Sequence, residues 1–206
     1  MDLGAYFKSP EAVADVEAAK PSAEVLTFTG DVDAGKAKAM VCAACHGADG
    51  NQPLPNHPKL AGQHEQYLVK QLQDFKSGAR NNAIMAGQVA TLSNEDMQNL
   101  AAYFASQKLT PVAAEANEYG KKLYQGGDAA RGITACIACH GTDGKGAGLA
   151  GFPKVGSQTA DYMKLQLEQF RSGARNNDMN SMMANIAAKL TDKDIAALAE
   201  YMASLK

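Results

Sequence analysis

Apolar residues fall at helical spacing in two separate stretches that carry the same pattern. Leu68, Leu72 and Phe75 recur three and four apart, with Gly78 just beyond, so the spacing predicts a helix from Gln66 to Lys76 that the glycine ends. Met163, Leu167 and Phe170 repeat the pattern ahead of Gly173. A closing helix follows each. Ser93-Asn94-Glu95-Asp96 supplies a cap and early acids before Met97, Leu100, Ala101 and Phe104, and Thr191-Asp192-Lys193-Asp194 does so before Ile195, Leu198 and Met202. Asp33 to Met40 and Ala113 to Tyr124 are expected as opening helices. No alternating stretch is long enough for a sheet. The expected fold class is all-α.

These stretches belong to an internal repeat. Phe75-Lys76-Ser77-Gly78-Ala79-Arg80-Asn81-Asn82 returns as Phe170-Arg171-Ser172-Gly173-Ala174-Arg175-Asn176-Asn177 at an offset of 95, as does Pro58-Lys59-Leu60 in Pro153-Lys154-Val155. Tyr103 and Tyr201 pair at 98, which places a three-residue insertion before the last helix. The expected organisation is a lead over 1–29, one domain over 30–109 and its duplicate over 110–206, with a short linker of about Lys108 to Ala114 around Thr110-Pro111. In the lead, Ser9, Pro10 and Pro21 bracket a short helix from Pro10 to Ala19.

Each half also contains Cys-x-x-Cys-His: Cys42-Ala43-Ala44-Cys45-His46, and Cys136-Ile137-Ala138-Cys139-His140. This is the attachment signature of c-type haem. Two cysteines three apart lie on one face of a helical turn, so both sulfurs reach the vinyl-derived carbons on one porphyrin edge. The adjacent histidine then presents a ring nitrogen to the iron. The two copies use all 4 cysteines of the chain. Cys42, Cys45, Cys136 and Cys139 are therefore expected to carry two covalently bound haem c groups, with His46 and His140 as axial ligands.

A thioether as the other axial ligand makes a closed electron-transfer site and raises its potential. Met85 lies seven residues before Leu92, and Met183 seven before Leu190. Both are expected in a loop ahead of the closing helix. Met182 aligns with Ile84 and is the alternative to Met183; Met179 falls in the insertion. His57 and His64 face Phe152 and Thr159 in the repeat, so surface or supporting histidine is favoured over bis-His ligation. Arg80, Arg175, Asn81 and Asn176 would either meet a haem propionate or methionine sulfur, or sit in a solvated turn. Pro58 and Pro153 are expected behind the proximal imidazoles, with a neighbouring carbonyl orienting the ring N–H, and Tyr67 and Tyr162 along the haem crevice.

Composition narrows the partners. The apolar fraction is 46% and aromatics are 6%, and no run approaches the ~18 apolar residues of a membrane span. A net charge of −2 argues against nucleic acid. Residues 30–113 hold seven basic and seven acidic side chains and 114–206 eleven against ten, so neither half is a strongly basic docking face. Unequal halves predict two unequal reduction potentials. Domains this small lean on haem for their core, so the apoprotein is expected to fold poorly. The start, Met1-Asp2-Leu3-Gly4-Ala5-Tyr6-Phe7, lacks the basic and apolar regions of a secretory signal, which is expected to have been removed.

Two Cys-x-x-Cys-His motifs, each with a methionine downstream, Phe-x-Ser-Gly-Ala-Arg and the Leu-Ser/Thr-x-x-Asp closing helix together resemble the cytochrome c4 family over about Gly30 to Lys206. The resemblance implies two class I cytochrome c folds about a pseudo-twofold axis with haem edges close together. It implies a periplasmic electron carrier, soluble or in peripheral membrane association. Electrons would arrive from quinol–cytochrome c reductase or another donor and leave towards a terminal haem–copper oxidase. The lead is longer than the family pattern needs. The competing reading is a dihaem redox enzyme, of peroxidase or thiosulfate-oxidising type, with one labile axial ligand; structural zinc is a third, disfavoured because adjacent Cys and His do not readily converge on one ion.

Overall fold

The computed structural model describes residues 30–206 apart from 53 and 55; the expected lead and its helix from Pro10 to Ala19 lie outside them. In the first half, α1 (Val32–Lys38) starts at Asp31, whose carboxylate accepts from the backbone N–H groups of Asp33 and Ala34. The chain then tightens into a 3₁₀ turn, Ala39–Val41, earlier than the expected end at Met40. That turn feeds α2 (Ala43–His46), followed by α3 (Glu65–Ser77), α4 (Ala83–Val89) and α5 (Asn94–Ser106). The second half repeats the order as α6 (Glu118–Gly126), α7 (Ile137–His140), α8 (Ala160–Ser172), α9 (Met182–Ala187) and α10 (Asp192–Ser204). Among the described residues there is no strand, only two isolated bridges. The fold is all-α.

Local chemistry accounts for most boundaries. Gly78 and Gly173 end α3 and α8 in the left-handed region. Full capping boxes start α5 at Ser93 with Asp96 and α10 at Thr191 with Asp194. The second opening helix corrects the expectation. It begins at Glu118 rather than Ala113, because the Asn117 side chain accepts from the Gly120 N–H at 2.9 Å and sets the cap there. Residues 107–117 thus form a longer linker than expected.

Each half closes by crossing its first helix over its last. Gly35 of α1 lies so close to α5 that a Cβ would sit 1.9 Å from the Asn99 carbonyl oxygen; at Gly120 of α6 it would sit 2.0 Å from that of Ala197 in α10. Only glycine permits this approach. Beneath the crossing, Leu68, Val69, Leu100 and Phe104 form one core, and Leu123, Met163, Leu167, Ile195 and Leu198 the other. Burial of each such side chain contributes about 1.5–3 kcal/mol.

The halves meet through reciprocal contacts. The Gln158 amide accepts from the Lys59 N–H at 2.8 Å and donates to its carbonyl at 3.0 Å. Gln63 does the same to Lys154, at 2.9 Å in both directions. The two glutamines are 95 residues apart, so one offset of the repeat generates both sides of an approximate twofold axis.

Candidate haem centres

Each Cys-x-x-Cys-His motif forms one helical turn. The N–H groups of Cys45 and His46 converge on the Cys42 carbonyl at 3.2 and 3.0 Å, and those of Cys139 and His140 on Cys136 at 3.3 and 2.9 Å. Gly47 (φ 80°) and Gly141 (φ 75°) then turn the chain away in a conformation that disfavours other residues. Tyr103 donates to the Ala48 carbonyl at 2.9 Å and Tyr124 to that of Gly141 at 2.7 Å, pinning the segment after each motif to the core.

The histidines are 6% and 8% exposed. Nδ1 of His46 lies 2.9 Å from the Pro58 carbonyl oxygen, and Nδ1 of His140 2.9 Å from that of Pro153. A carbonyl only accepts, so Nδ1 carries the proton and the lone pair stands on Nε2. Burial lowers both imidazole pKa values, against the opposing pull of those carbonyls. A neutral ring with a free Nε2 is what an iron ligand requires. The expectation for Pro58 and Pro153 is met by their own carbonyls.

The four cysteines are unpaired and partly buried, with Cys42 and Cys136 against the two cores. Burial pushes the Cys136 thiol up to about 11 and raises that of Cys42. This is an apolar setting suited to a thioether rather than to a reactive thiolate. Among the described residues no three His, Cys, Asp or Glu side chains gather as a metal site, which leaves the zinc reading without geometry. Free thiols, an oriented imidazole and an apolar surround fit covalent haem.

Met85 and Met183 are half-buried and sit in helices, not in loops as expected: Met85 is the third residue of α4 and Met183 the second of α9. The Asn82 side chain accepts from the Met85 N–H at 3.0 Å, so a short cap built a helix where no apolar period was legible. Met183 packs against the second core, while Met179 is 50% exposed. The insertion takes up its length through Asn180 and Ser181, both left-handed at φ 53° and 55°. That conformation costs roughly 1 kcal/mol or more per residue.

Arg80 and Arg175 are not in solvated turns. Both are buried and reach across to the other half. Arg80 donates to Gln71 at 2.8 Å, Tyr162 at 3.1 Å and Gln166 at 2.6 Å. Arg175 donates to Gln166 at 2.7 Å, Tyr67 at 3.0 Å and Gln71 at 3.1 Å. Each guanidinium also stacks on the phenylalanine of its own segment, Phe75 at 4.6 Å and Phe170 at 4.4 Å. Burial works to raise the Tyr67 phenol, but Arg175 and Arg80 outweigh it and lower its pKa. Tyr67 and Tyr162, expected along the crevice, therefore serve the interface with their hydroxyls. Asn81 and Asn176 are exposed, and their neighbours Asn82 and Asn177 make the bonds. His64 lies at the interface as well, Nε2 2.8 Å from the Lys145 carbonyl; His57 stands edge-on to the His46 ring at 5.7 Å. Sequence patterns passed over Gln71, Gln166, Gln63 and Gln158, although all four repeat at 95.

The cytochrome c family model matches residues 32–108 and 118–206. Cytochrome c4 of Pseudomonas aeruginosa is 51% identical over 179 residues, covering 85% of this chain and 89% of that protein. The thiosulfate dehydrogenase electron acceptor of Stutzerimonas stutzeri is 43% identical, covering 81% and 80%. The crystal structure of reduced recombinant cytochrome c4 from Pseudomonas stutzeri superposes with a TM-score of 0.83 at 46% identity, over 86% of this chain and all of that one. The chain belongs to the cytochrome c4 family, as two tandem cytochrome c domains that carry two covalently bound haem c groups and transfer electrons rather than turn over a substrate.

Proposed function

We propose that this chain passes electrons through a bacterial respiratory chain in the periplasm, from quinol–cytochrome c reductase or another donor towards a terminal haem–copper oxidase. In this reading the domains divide as 30–109 and 110–206. Cys42 and Cys45 bind the first haem and Cys136 and Cys139 the second; His46 with Met85, and His140 with Met183, are the axial pairs. Any membrane association is read as peripheral; among the described residues no helix is long and apolar enough to cross a membrane. The bound haems supply one-electron chemistry between ferrous and ferric iron. The protein supplies the rest: it orients each imidazole and holds the two centres in one geometry through the reciprocal arginine bonds.

One observation carries this reading: two buried imidazoles are locked in the same tautomer, each followed by a half-buried methionine in a short helix. Methionine on both irons makes closed sites, which suit a carrier and not a substrate-binding enzyme. The test is absorption spectroscopy with and without carbon monoxide. The expected result is a weak red band from methionine on ferric iron and no carbon monoxide binding. Met85→Ala and Met183→Ala should each remove about half of that band and open about half of the haem to carbon monoxide. Binding by the unaltered protein would favour the enzyme reading.

A thiosulfate-oxidising enzyme is the second candidate for donor, supported by the 43% identity to a protein named as an electron acceptor of thiosulfate dehydrogenase. Stopped-flow reduction of the oxidised protein by each donor decides between them.

A further inference from the structure

The Gly-Ala-Arg-Asn-Asn segment is identical in the two halves, yet it starts the two methionine helices differently. In the first half the exposed, neutral Asn82 caps α4 through the N–H of Met85 itself. In the second half Asn177 is drawn into the interface. Its amide donates to Gln71 at 3.1 Å and Asp74 at 2.6 Å, and its oxygen accepts from Arg175 at 3.0 Å. None of its side-chain bonds goes to α9. Asp178 takes over: Oδ2 accepts from the N–H of Ala184, next to Met183, at 3.0 Å. Its other oxygen, Oδ1, is buried and has no hydrogen-bond partner among the described residues. The same place in the first half is Ala83.

We propose that Asp178 is a positioning residue of the second haem centre, holding Met183 through the first turn of α9 and placing a partly buried negative charge beside that centre alone. The proposal rests on Met183 being the ligand. Oδ2 ties the turn that follows two strained left-handed residues, so the methionine's register depends on it. The charge acts through its desolvated oxygen. A partly buried carboxylate is weakly screened, and it favours the more positive, ferric state of a neighbouring iron over the ferrous one. Arg175 is a cation on that side, with Arg80 as its equivalent in the first half, and Lys70 reaches the Asn177 carbonyl at 2.8 Å while paired with Asp74; at the start of the methionine helix itself, the second half carries Asp178 where the first has Ala83. Asp178 thereby supplies a cause for unequal potentials in a duplicated protein.

Asp178→Asn keeps an acceptor for the Ala184 N–H and removes the charge. In redox titration of the haem-loaded protein, the wave of the second domain is identified as the one that Met183→His displaces. Asp178→Asn is expected to move that wave to higher potential, with the other wave and the red methionine band unchanged. Asp178→Ala removes the acceptor as well and is expected to weaken the band by up to half. Two unmoved waves in Asp178→Asn, or equal displacement of both, would overturn the proposal. If Met183→His displaces neither wave, the ligand assignment has failed instead; movement confined to one wave in Asp178→Asn would still support the charge, and two static waves would still sink it.

Discussion

Asp96 and Asp194 fill the same place in the repeat, and their surroundings make them different residues. Asp96 closes its capping box near the surface and pairs with Lys38. Asp194 is fully buried, with Thr191, Arg131 and the Tyr119 hydroxyl around it. Lys38 and Ser93 hold the Asp96 carboxyl down at about 2. For Asp194 burial works against the charge, but bonds from Arg131, Tyr119 and Thr191 outweigh it and place the carboxyl well below the usual range. A carboxylate lowered by folding stabilises the protein above its unfolded pKa of about 4, and that contribution is lost as pH falls through the folded value. Asp194→Asn is therefore expected to destabilise the second domain by about 2 kcal/mol at pH 7, less than a wholly buried pair because Arg131 is partly exposed. Guanidinium unfolding at several pH values checks this, and the gap to the unaltered protein should shrink below pH 4. The cap was legible from Thr191-Asp192-Lys193-Asp194; the burial was not, because Arg131 and Tyr119 arrive from 63 and 75 residues away.

At the scale of elements, the long helices were readable because their apolar residues keep one period and their ends carry caps and glycines. The short ones were not. Four residues of α2 or α7 hold no period, and α4 depends on one Asn82 bond. The crossing glycines were equally hidden: Gly35 and Gly120 are 85 apart while the rest of the repeat runs at 94 to 98. Gly35→Ala and Gly120→Ala are each expected to cost about 3 kcal/mol, since a Cβ would enter a backbone carbonyl and the helices must part. Gly87→Ala is the control. It lies within α4 with nothing within 4 Å of its would-be Cβ, so it should gain about 0.5–1 kcal/mol from helix propensity. Denaturant midpoints of the three haem-loaded variants measure both effects.

At the scale of the molecule, the duplication became a machine part only where the halves meet. Arg80 and Arg175 each lock two residues of the opposite domain. Removing both leaves Gln166 and two phenols without their arginine donors and Gln71 with Asn177 alone, a loss of about 2–4 kcal/mol of domain docking at each site. The Arg80→Ala, Arg175→Ala double variant is expected to keep two haems while its radius of gyration rises and protease cuts within 107–117. Small-angle scattering and limited proteolysis report these. An unchanged envelope would mean that the Gln63 and Gln158 contacts suffice to hold the domains together.

Covalent chemistry and helix period act between neighbours in the chain, and so were decided by the sequence: two haem motifs, the all-α class, the duplication, the places of the long helices. Selection among polar residues of one type was decided by tertiary structure. The sequence marks Arg80 and Arg175 by their repetition, but a guanidinium near a methionine segment serves a propionate, a turn or a neighbouring domain equally well on paper. Only the twofold meeting of the halves brings Tyr162 and Tyr67 into reach. The same meeting recruits Asn177 across the interface and leaves Asp178 to cap the second methionine helix. One sequence segment, Gly-Ala-Arg-Asn-Asn, thus has two outcomes, because hydrogen-bond partners are assigned by proximity in space and a repeat copies residues without copying their neighbours.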